Sequence, residues 1–201
     1  MTFHHLPEEK REAILSAARR EFSRVPFAKT SINRIIQEAG IPRGSFYMYF
    51  EDKEDLLKIV LQSMMDEIKI TLMASLMQSG GQLRATALQL HDHMYGIYQS
   101  KENQDFMKNM MLYFQSTVEQ AKSENKGEQP FKDKLFRLIP LLDESQFADP
   151  SLEGKKAAVD IVFSVLKSVM VNSFMKEQTM DESREMLIRY LDIIENGYLR
   201  K

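Results

Sequence analysis

Apolar residues fall at helical spacing along nearly the whole chain, and no segment shows strand alternation bounded by turn clusters. The sharpest pattern lies between Thr30 and Lys53, TSINRIIQEAGIPRGSFYMYFEDK. Ile32, Ile35, Ile36 and Ala39 recur at i, i+3, i+4, i+7, one apolar helical face, with Ser31 expected to accept from the first free N–H groups. Gly40 sits where a helix closes with a left-handed residue. Ile41 bridges the turn, and Pro42 suits the start of a second helix, having no N–H to leave unpaired. In that helix Phe46 and Phe50, four apart, are expected to face inward. The outer face then carries Arg43, Gly44, Ser45, Tyr47, Met48 and Tyr49.

The flanking segments read the same way. A first helix is expected from Pro7 to Arg24, with Ala13, Ile14, Ala17, Ala18 and Phe22 as its buried stripe and Glu8 and Glu9 favourable at its positive end. Asp52 and Asp55 fit a capping box opening a long helix to Gln78, which carries Leu57, Leu61, Met64, Ile68, Leu72 and Leu76. At 1.5 Å per residue that helix is a rod of about 40 Å, ended by Gly80-Gly81. Two amphipathic helices follow (82–100 and 103–123), then a polar loop over 123–130 and a short helix over 131–144 interrupted at Pro140. Asp149-Pro150 opens a long helix to Lys176 with apolar residues on more than one face. Thr179 to Asp181 caps the last helix, whose Leu187, Leu191, Ile194 and Tyr198 form a near-heptad seam. The expectation is an all-α fold of about nine helices. A three-helix N-terminal domain would occupy residues 1–51 and a larger helical domain 52–201.

Composition adds limits. The 201 residues are 43% hydrophobic, enough for a core, with 8 Gly and 6 Pro. Net charge is −2, yet between Arg19 and Arg43 the bases Arg19, Arg20, Arg24, Lys29, Arg34 and Arg43 outnumber the acids Glu21 and Glu38. Such a local positive patch is expected where one face meets phosphate. There is no cysteine for disulfide or thiol chemistry. The N-terminus has no apolar signal core and no uninterrupted apolar run spans a bilayer, so a cytoplasmic location without membrane contact is expected.

Catalytic chemistry finds no carrier. His91-Asp92-His93 resembles a metal site, but residues two apart on a helix point about 200° away from each other and cannot share an ion. No nucleophile elbow or glycine-rich phosphate loop occurs, so no catalytic residue, metal or cofactor is expected. The outer face of the second short helix is more informative. Two tyrosines, a methionine, a glycine and an arginine without an acid suit a DNA-reading helix: Arg43 can fork onto guanine or phosphate, Gly44 allows close approach, and the hydroxyls can donate to phosphate oxygens. A helical hairpin with scattered exposed aromatics fits the same pattern, and the residues alone leave both open.

An ordered set of motifs separates them: ILSAARREF (Ile14 to Phe22), TSINRIIQEAGI (Thr30 to Ile41), RGSFYMYF (Arg43 to Phe50) and KEDLL (Lys53 to Leu57). From Ile14 to Leu61 the chain resembles the amino-terminal domain of the TetR family of bacterial transcriptional regulators. The departure is Val25-Pro26-Phe27, where the family pattern has a glycine in the position of Pro26. The resemblance implies a homodimeric, ligand-responsive regulator, most often a repressor released from a pseudo-palindromic operator in double-stranded DNA by a small effector. It implies DNA contacts by Thr30, Ser31, Arg34, Arg43, Gly44, Ser45, Tyr47, Met48, Tyr49 and Lys53, the last to a phosphate. It implies pairing of the last two helices with their symmetry mates, carried here by Val162, Val165, Val169, Leu187, Leu191, Ile194 and Tyr198. A pocket for an apolar or aromatic effector is implied in the C-terminal domain, where Met and aromatic residues single out His91, Tyr95, Met110 and Phe114. The rival reading is a DNA-bound architectural or partner-regulated protein without an effector.

Overall fold

A computed structural model describes residues 3–121 and 135–196, without the side chains of 114–121. Eight α-helices make up the described residues, with no strand among them: α1 Glu8–Arg24, α2 Ile32–Glu38, α3 Arg43–Tyr49, α4 Lys53–Gln78, α5 Leu83–Ile97, α6 Lys101–Ala121, α7 Leu152–Met175 and α8 Met180–Asn196. The expected polar loop and residues 131–134 of the expected short helix lie outside the described residues. Beyond them Pro140 sits in a 3-10 turn, Ile139–Leu141, followed by another at Glu144–Gln146.

Packing divides the chain into two compact units. The first comprises residues 1–67 and 98–125, the second 68–97 and 126–201. The first unit therefore includes α6 and the first part of α4 as well as α1 to α3. Its core is aromatic: Phe3, Phe22, Phe27, Phe46 and Phe50 are buried together with Ile14, Ile35, Leu56 and Val60. Phe46 and Phe50 do face inward, their ring centroids 5.1 Å apart. Of the expected α1 stripe, Ile14, Ala17, Ala18 and Phe22 are buried, but Ala13 is exposed.

In the second unit α5, α7 and α8 pack mutually, burying Leu83, Ala87, Leu90, Val159, Val162, Leu166, Val169, Leu187 and Leu191. Helix ends here are closed by local chemistry. Ser151 Oγ accepts from Gly154 N–H at 3.1 Å, so α7 starts just after Pro150. Thr179 and Glu182 form a reciprocal capping box, with Thr179 N–H donating to Glu182 Oε2 (2.8 Å) and Glu182 N–H to Thr179 Oγ1 (3.3 Å). The Thr179 N–H, and the Thr179 hydroxyl that also donates to Glu182 Oε2 at 3.0 Å, hold the Glu182 carboxyl below its ordinary pKa. At the end of α4, Gly81 has φ +81° and lies so close to the Leu141 and Asp143 backbone that a Cβ would sit 2.5 Å from Leu141 O.

Helix α7 is long and apolar enough to cross a membrane, 24 residues with mean hydropathy 1.5 in its most apolar window. Its Val159, Val162, Leu166, Val169 and Met170 are buried in a helix that packs against α5 and α8, and its Lys155 pairs with Glu144.

Candidate nucleic-acid interface

The α2–α3 turn is built by its backbone. Gly40 has φ +64°, Ile41 N–H reaches Ile36 O at 3.0 Å, and Gly40 N–H reaches Gln37 O at 3.3 Å. This is a Schellman closure, and it satisfies carbonyls that α2 would otherwise leave unpaired. Pro42 then precedes α3, and Ser45 N–H takes its carbonyl at 2.9 Å.

The start of α2 is closed differently from expectation. Ser31 makes no side-chain cap; instead its N–H donates to Glu21 Oε1 at 2.8 Å. Glu21 is only 2% exposed and also pairs with Arg24. A carboxylate from α1 thus accepts from the N-cap residue's own N–H, as the acid of a capping box does from within a helix. Thr30 Oγ1 is likewise engaged, donating to Phe27 O at 2.8 Å.

On α3 the residues assigned to one outer face separate into two groups. Tyr47 and Met48 are 52% and 62% exposed, and Arg43 and Gly44 are exposed beside them. Arg43 Nη1 donates to Asn33 Oδ1 of α2 at 3.1 Å, which restrains the guanidinium without neutralising it. A Cβ on Gly44 would meet nothing within 4 Å, so its surface is open to an incoming ligand. Ser45 and Tyr49, by contrast, are half-buried and line a cavity of about 130 Å³ with Leu6, Lys10, Ile14 and residues 39–42. Their spacing of four turns them together toward α1.

The positive patch is narrower than its count of bases. Arg19 pairs with Glu67 at 2.8 Å, Arg20 with Glu38, and Arg24 with Glu21. Lys29, Arg34 and Arg43 are exposed and have no carboxylate partner among the described residues. Lys53 is also engaged. Its Nζ donates to Phe27 O (3.0 Å) and Ala28 O (3.1 Å) and lies 4.9 Å from the centre of the Phe27 ring.

The residues singled out for an effector pocket are divided between the two units. Met110 is in the aromatic core of the first unit, while His91 and Tyr95 belong to the second. The Phe114 side chain lies outside the described residues. His91 is fully buried as a link in a polar chain: Nδ1 to Asp92 Oδ1 at 3.0 Å, Nε2 to Ser183 Oγ at 2.8 Å, and Ser183 Oγ to Ser173 Oγ at 2.6 Å. Arg184 Nε donates to both Asp92 oxygens at 3.1 Å, and Tyr95 donates to Gln178 O. Burial, with the nearby Glu182 charge, raises the Tyr95 pKa. His93 is exposed, as its spacing from His91 requires, and no group of metal-binding side chains occurs among the described residues. A separate cavity of about 10 Å³, room for roughly one water, is lined only by apolar residues, among them Leu72, Leu76, Leu83, Ile139, Leu142 and Phe163.

Of the residues assigned to a subunit interface, Val162, Val169, Leu187 and Leu191 are buried in their own unit. Helical periodicity does not tell which apolar face turns to the chain's own core. Val165 is half-buried and Ile194 is exposed, while Tyr198 lies outside the described residues. The exposed apolar residues on these two helices include Ile161 at 51%, Tyr190, Ile193 and Ile194.

An all-α chain with a Schellman-closed helix-turn-helix and an acid-free outer face on its second helix has the build of a bacterial DNA-reading regulator. Residues 14–60 match the model for bacterial regulatory proteins of the tetR family, and residues 82–198 match that for the tetracyclin repressor-like C-terminal domain. The chain belongs to the TetR family. It is 41% identical over 61 residues to the HTH-type transcriptional regulator HbdR of Aromatoleum sp. (strain CIB), covering 30% of this chain and 27% of that protein. It is 43% identical over 49 residues to the HTH-type transcriptional regulator AcrR of Shigella flexneri, covering 24% of this chain and 23% of that one. The match thus spans about a quarter of the length of each of these curated relatives. A TetR-family structure from Syntrophomonas wolfei superposes with a TM-score of 0.66 at 18% identity, covering 96% of this chain and 97% of the other. One from Mesorhizobium loti does so with a TM-score of 0.65 at 16% identity, covering 92% and 96%. These two likenesses concern the fold.

Proposed function

We propose that the protein is a DNA-binding transcriptional regulator, a repressor that reads a pseudo-palindromic operator as a homodimer. The observation that carries this is the outer face of α3, where Arg43, Gly44, Tyr47 and Met48 are exposed on a helix whose start is fixed by the Gly40 closure. Residues 1–51 form the reading domain in this assignment, and 52–201 serve effector binding and dimerisation. Arg43 and Met48 face base edges, the guanidinium suited to guanine and the thioether to a thymine methyl. Arg34, Tyr47 and Lys29 face phosphates. Arg43→Ala should cost about 1–3 kcal/mol on the selected sequence and relax preference at one position. Equal loss on every sequence would reduce Arg43 to a phosphate contact.

Dimerisation uses the exposed stripe of Ile161, Val165, Tyr190, Ile193 and Ile194 rather than the buried valines and leucines. Ile161→Glu should shift the sedimenting species from dimer to monomer, and an unchanged dimer would move the interface elsewhere.

The effector site is the apolar cavity beside Phe163, which opens on binding, since it now holds no more than a water. Its lining calls for an apolar molecule that prefers the conformation with the cavity expanded. Binding reaches α3 through α4, the helix both units share. A library of small apolar and aromatic compounds should contain ones that raise the melting temperature and release DNA. Compounds that stabilise without releasing DNA would contradict the regulatory link.

A further inference from the structure

The connection from α1 to α2 lacks the means to hold itself. α1 stops at Arg24, and Val25 goes straight into extended backbone (φ −140°, ψ 154°) followed by Pro26. A helix ended this way has no left-handed residue to fold an N–H back onto its last carbonyls, which must find donors elsewhere. Two side chains from distant parts of the same unit supply them. From α6, Asn109 Nδ2 donates to Phe22 O at 3.0 Å, Ser23 O at 2.8 Å and Val25 O at 3.2 Å. An amide has two hydrogens for three acceptors, so one is shared, and three carbonyls on one side settle which end of the amide faces them. From the first turn of α4, Lys53 Nζ holds Phe27 O and Ala28 O and stacks over the Phe27 ring. Every carbonyl in this set lies within seven residues, Phe22 to Ala28.

That connection matters because α2 and α3 are seven residues each. Helices this short have no stability of their own, and their direction is set by what they are attached to and packed against. Fixing residues 22–28 fixes where α2 begins, and the Gly40 closure passes that direction to α3.

We propose that Lys53 and Asn109 are positioning residues for DNA reading: they hold the α1–α2 connection, and through it the pitch of α3, without touching DNA themselves. Two of the three Lys53 N–H groups are already committed to carbonyls, which makes its ammonium a clamp on this connection. The proposal rests on the DNA-binding reading above.

The test uses the full chain as wild type, Lys53→Met and Asn109→Leu. Each is titrated into the duplex that wild type selects from a random pool and into an unrelated duplex of equal length. Salt is varied, and the temperature is kept well below each variant's melting midpoint. Both variants should lose roughly tenfold or more on the selected duplex and little on the unrelated one. The slope of log affinity against log salt should stay at the wild-type value, because no phosphate contact has gone. A slope smaller by about one for Lys53→Met, with equal loss on both duplexes, would show a phosphate contact and overturn the proposal. Unchanged affinity in the folded variants would overturn it too, leaving both residues with stability alone. Should Lys53→Met not fold, Lys53→Gln, which retains an amide donor, carries the same comparison. Wild type binding neither duplex would bring down the DNA-reading assignment itself, a result separable from any variant's behaviour.

Discussion

The N-terminal unit has an aromatic interior, whereas the C-terminal unit has an aliphatic one threaded by a chain of buried polar groups. In the first, six phenylalanines from Phe3 to Phe106 share one core with α1, α2 and α3, and the main exposed apolar residues lie on the reading helix or at Leu112 of α6. In the second, Leu and Val pack around His91, Ser173 and Ser183, and exposed apolar residues are many, including Ile70, Met77, Ile161, Tyr190 and Ile194. Rings fill space with few rotatable bonds, so an aromatic core holds a small surface in one geometry. Aliphatic helices with apolar residues on two faces leave surface for a partner and a cavity that can enlarge. The contrast suits one unit to reading a fixed groove and the other to changing state.

Breaking the aromatic core should have the largest effect. Phe46 is fully buried against Phe50, and Phe46→Ala should cost about 3–5 kcal/mol. Hydrogen exchange followed by mass spectrometry should show faster exchange across α1 to α3 with α7 and α8 little altered. Equal acceleration everywhere would mean that the two units unfold as one.

The polar chain gives the matching perturbation in the other unit. His91→Leu removes one of the two partners of Ser183 Oγ, leaving Ser173 Oγ, and one partner of Asp92 inside α5, α7 and α8. A lost hydrogen bond costs about 0.5–1.5 kcal/mol, so the urea midpoint should fall by at least that equivalent. A rise would mean that simple apolar packing serves this interior better.

Glycine offers a finer comparison. Gly40 and Gly81 both have positive φ, but Gly40 has open space where a Cβ would go, whereas Gly81 abuts the Leu141 and Asp143 backbone. Gly40→Ala should cost about 1 kcal/mol from backbone strain alone. Gly81→Ala should cost more, because main chain has to move as well. Equal melting temperatures would remove the close-approach argument.

Acid should act least, and mainly on the C-terminal unit. Asp143, Asp149 and Glu182 each accept hydrogen bonds from Ser145, Ser151 and Thr179 respectively, which lowers their folded-state pKa below the ordinary 3.8 for Asp and 4.5 for Glu. A depressed pKa means the unfolded chain takes up protons first. Their stabilisation is therefore complete above the ordinary values and fades as pH falls through the lower folded ones. Melting temperature should drop modestly from pH 5 to 3, and Thr179→Val should flatten part of that drop.

Local chemistry was legible in the sequence, and distant chemistry was not. The Gly40 turn, the inward Phe46 and Phe50, the Asp52 cap (Asp55 N–H to Asp52 Oδ1, 2.7 Å) and the Thr179 cap each need only neighbours within a few residues. Ser31 makes no side-chain cap, and the partner of its N–H, Glu21, lies ten residues away on α1 where local pattern does not reach. Asn109 could not have been found by pattern, since its partners are 84 to 87 residues distant and nothing in α6 marks it. The same limit applies to Val162 and Leu187, which are buried in their own unit: periodicity locates an apolar stripe but not which neighbour covers it. The one departure from the family pattern, Pro26 in the position of a glycine, falls where the end of α1 takes its donors from Asn109.

The central claim is that two copies of α3 read DNA together. Selection of bound fragments from a random double-stranded pool at near-physiological salt tests it most directly. The account predicts an enriched two-fold pseudo-palindrome whose half-sites lie about one helical turn, or a multiple of it, apart. Binding with no enriched sequence, or enrichment of a single half-site by a monomer, would contradict it.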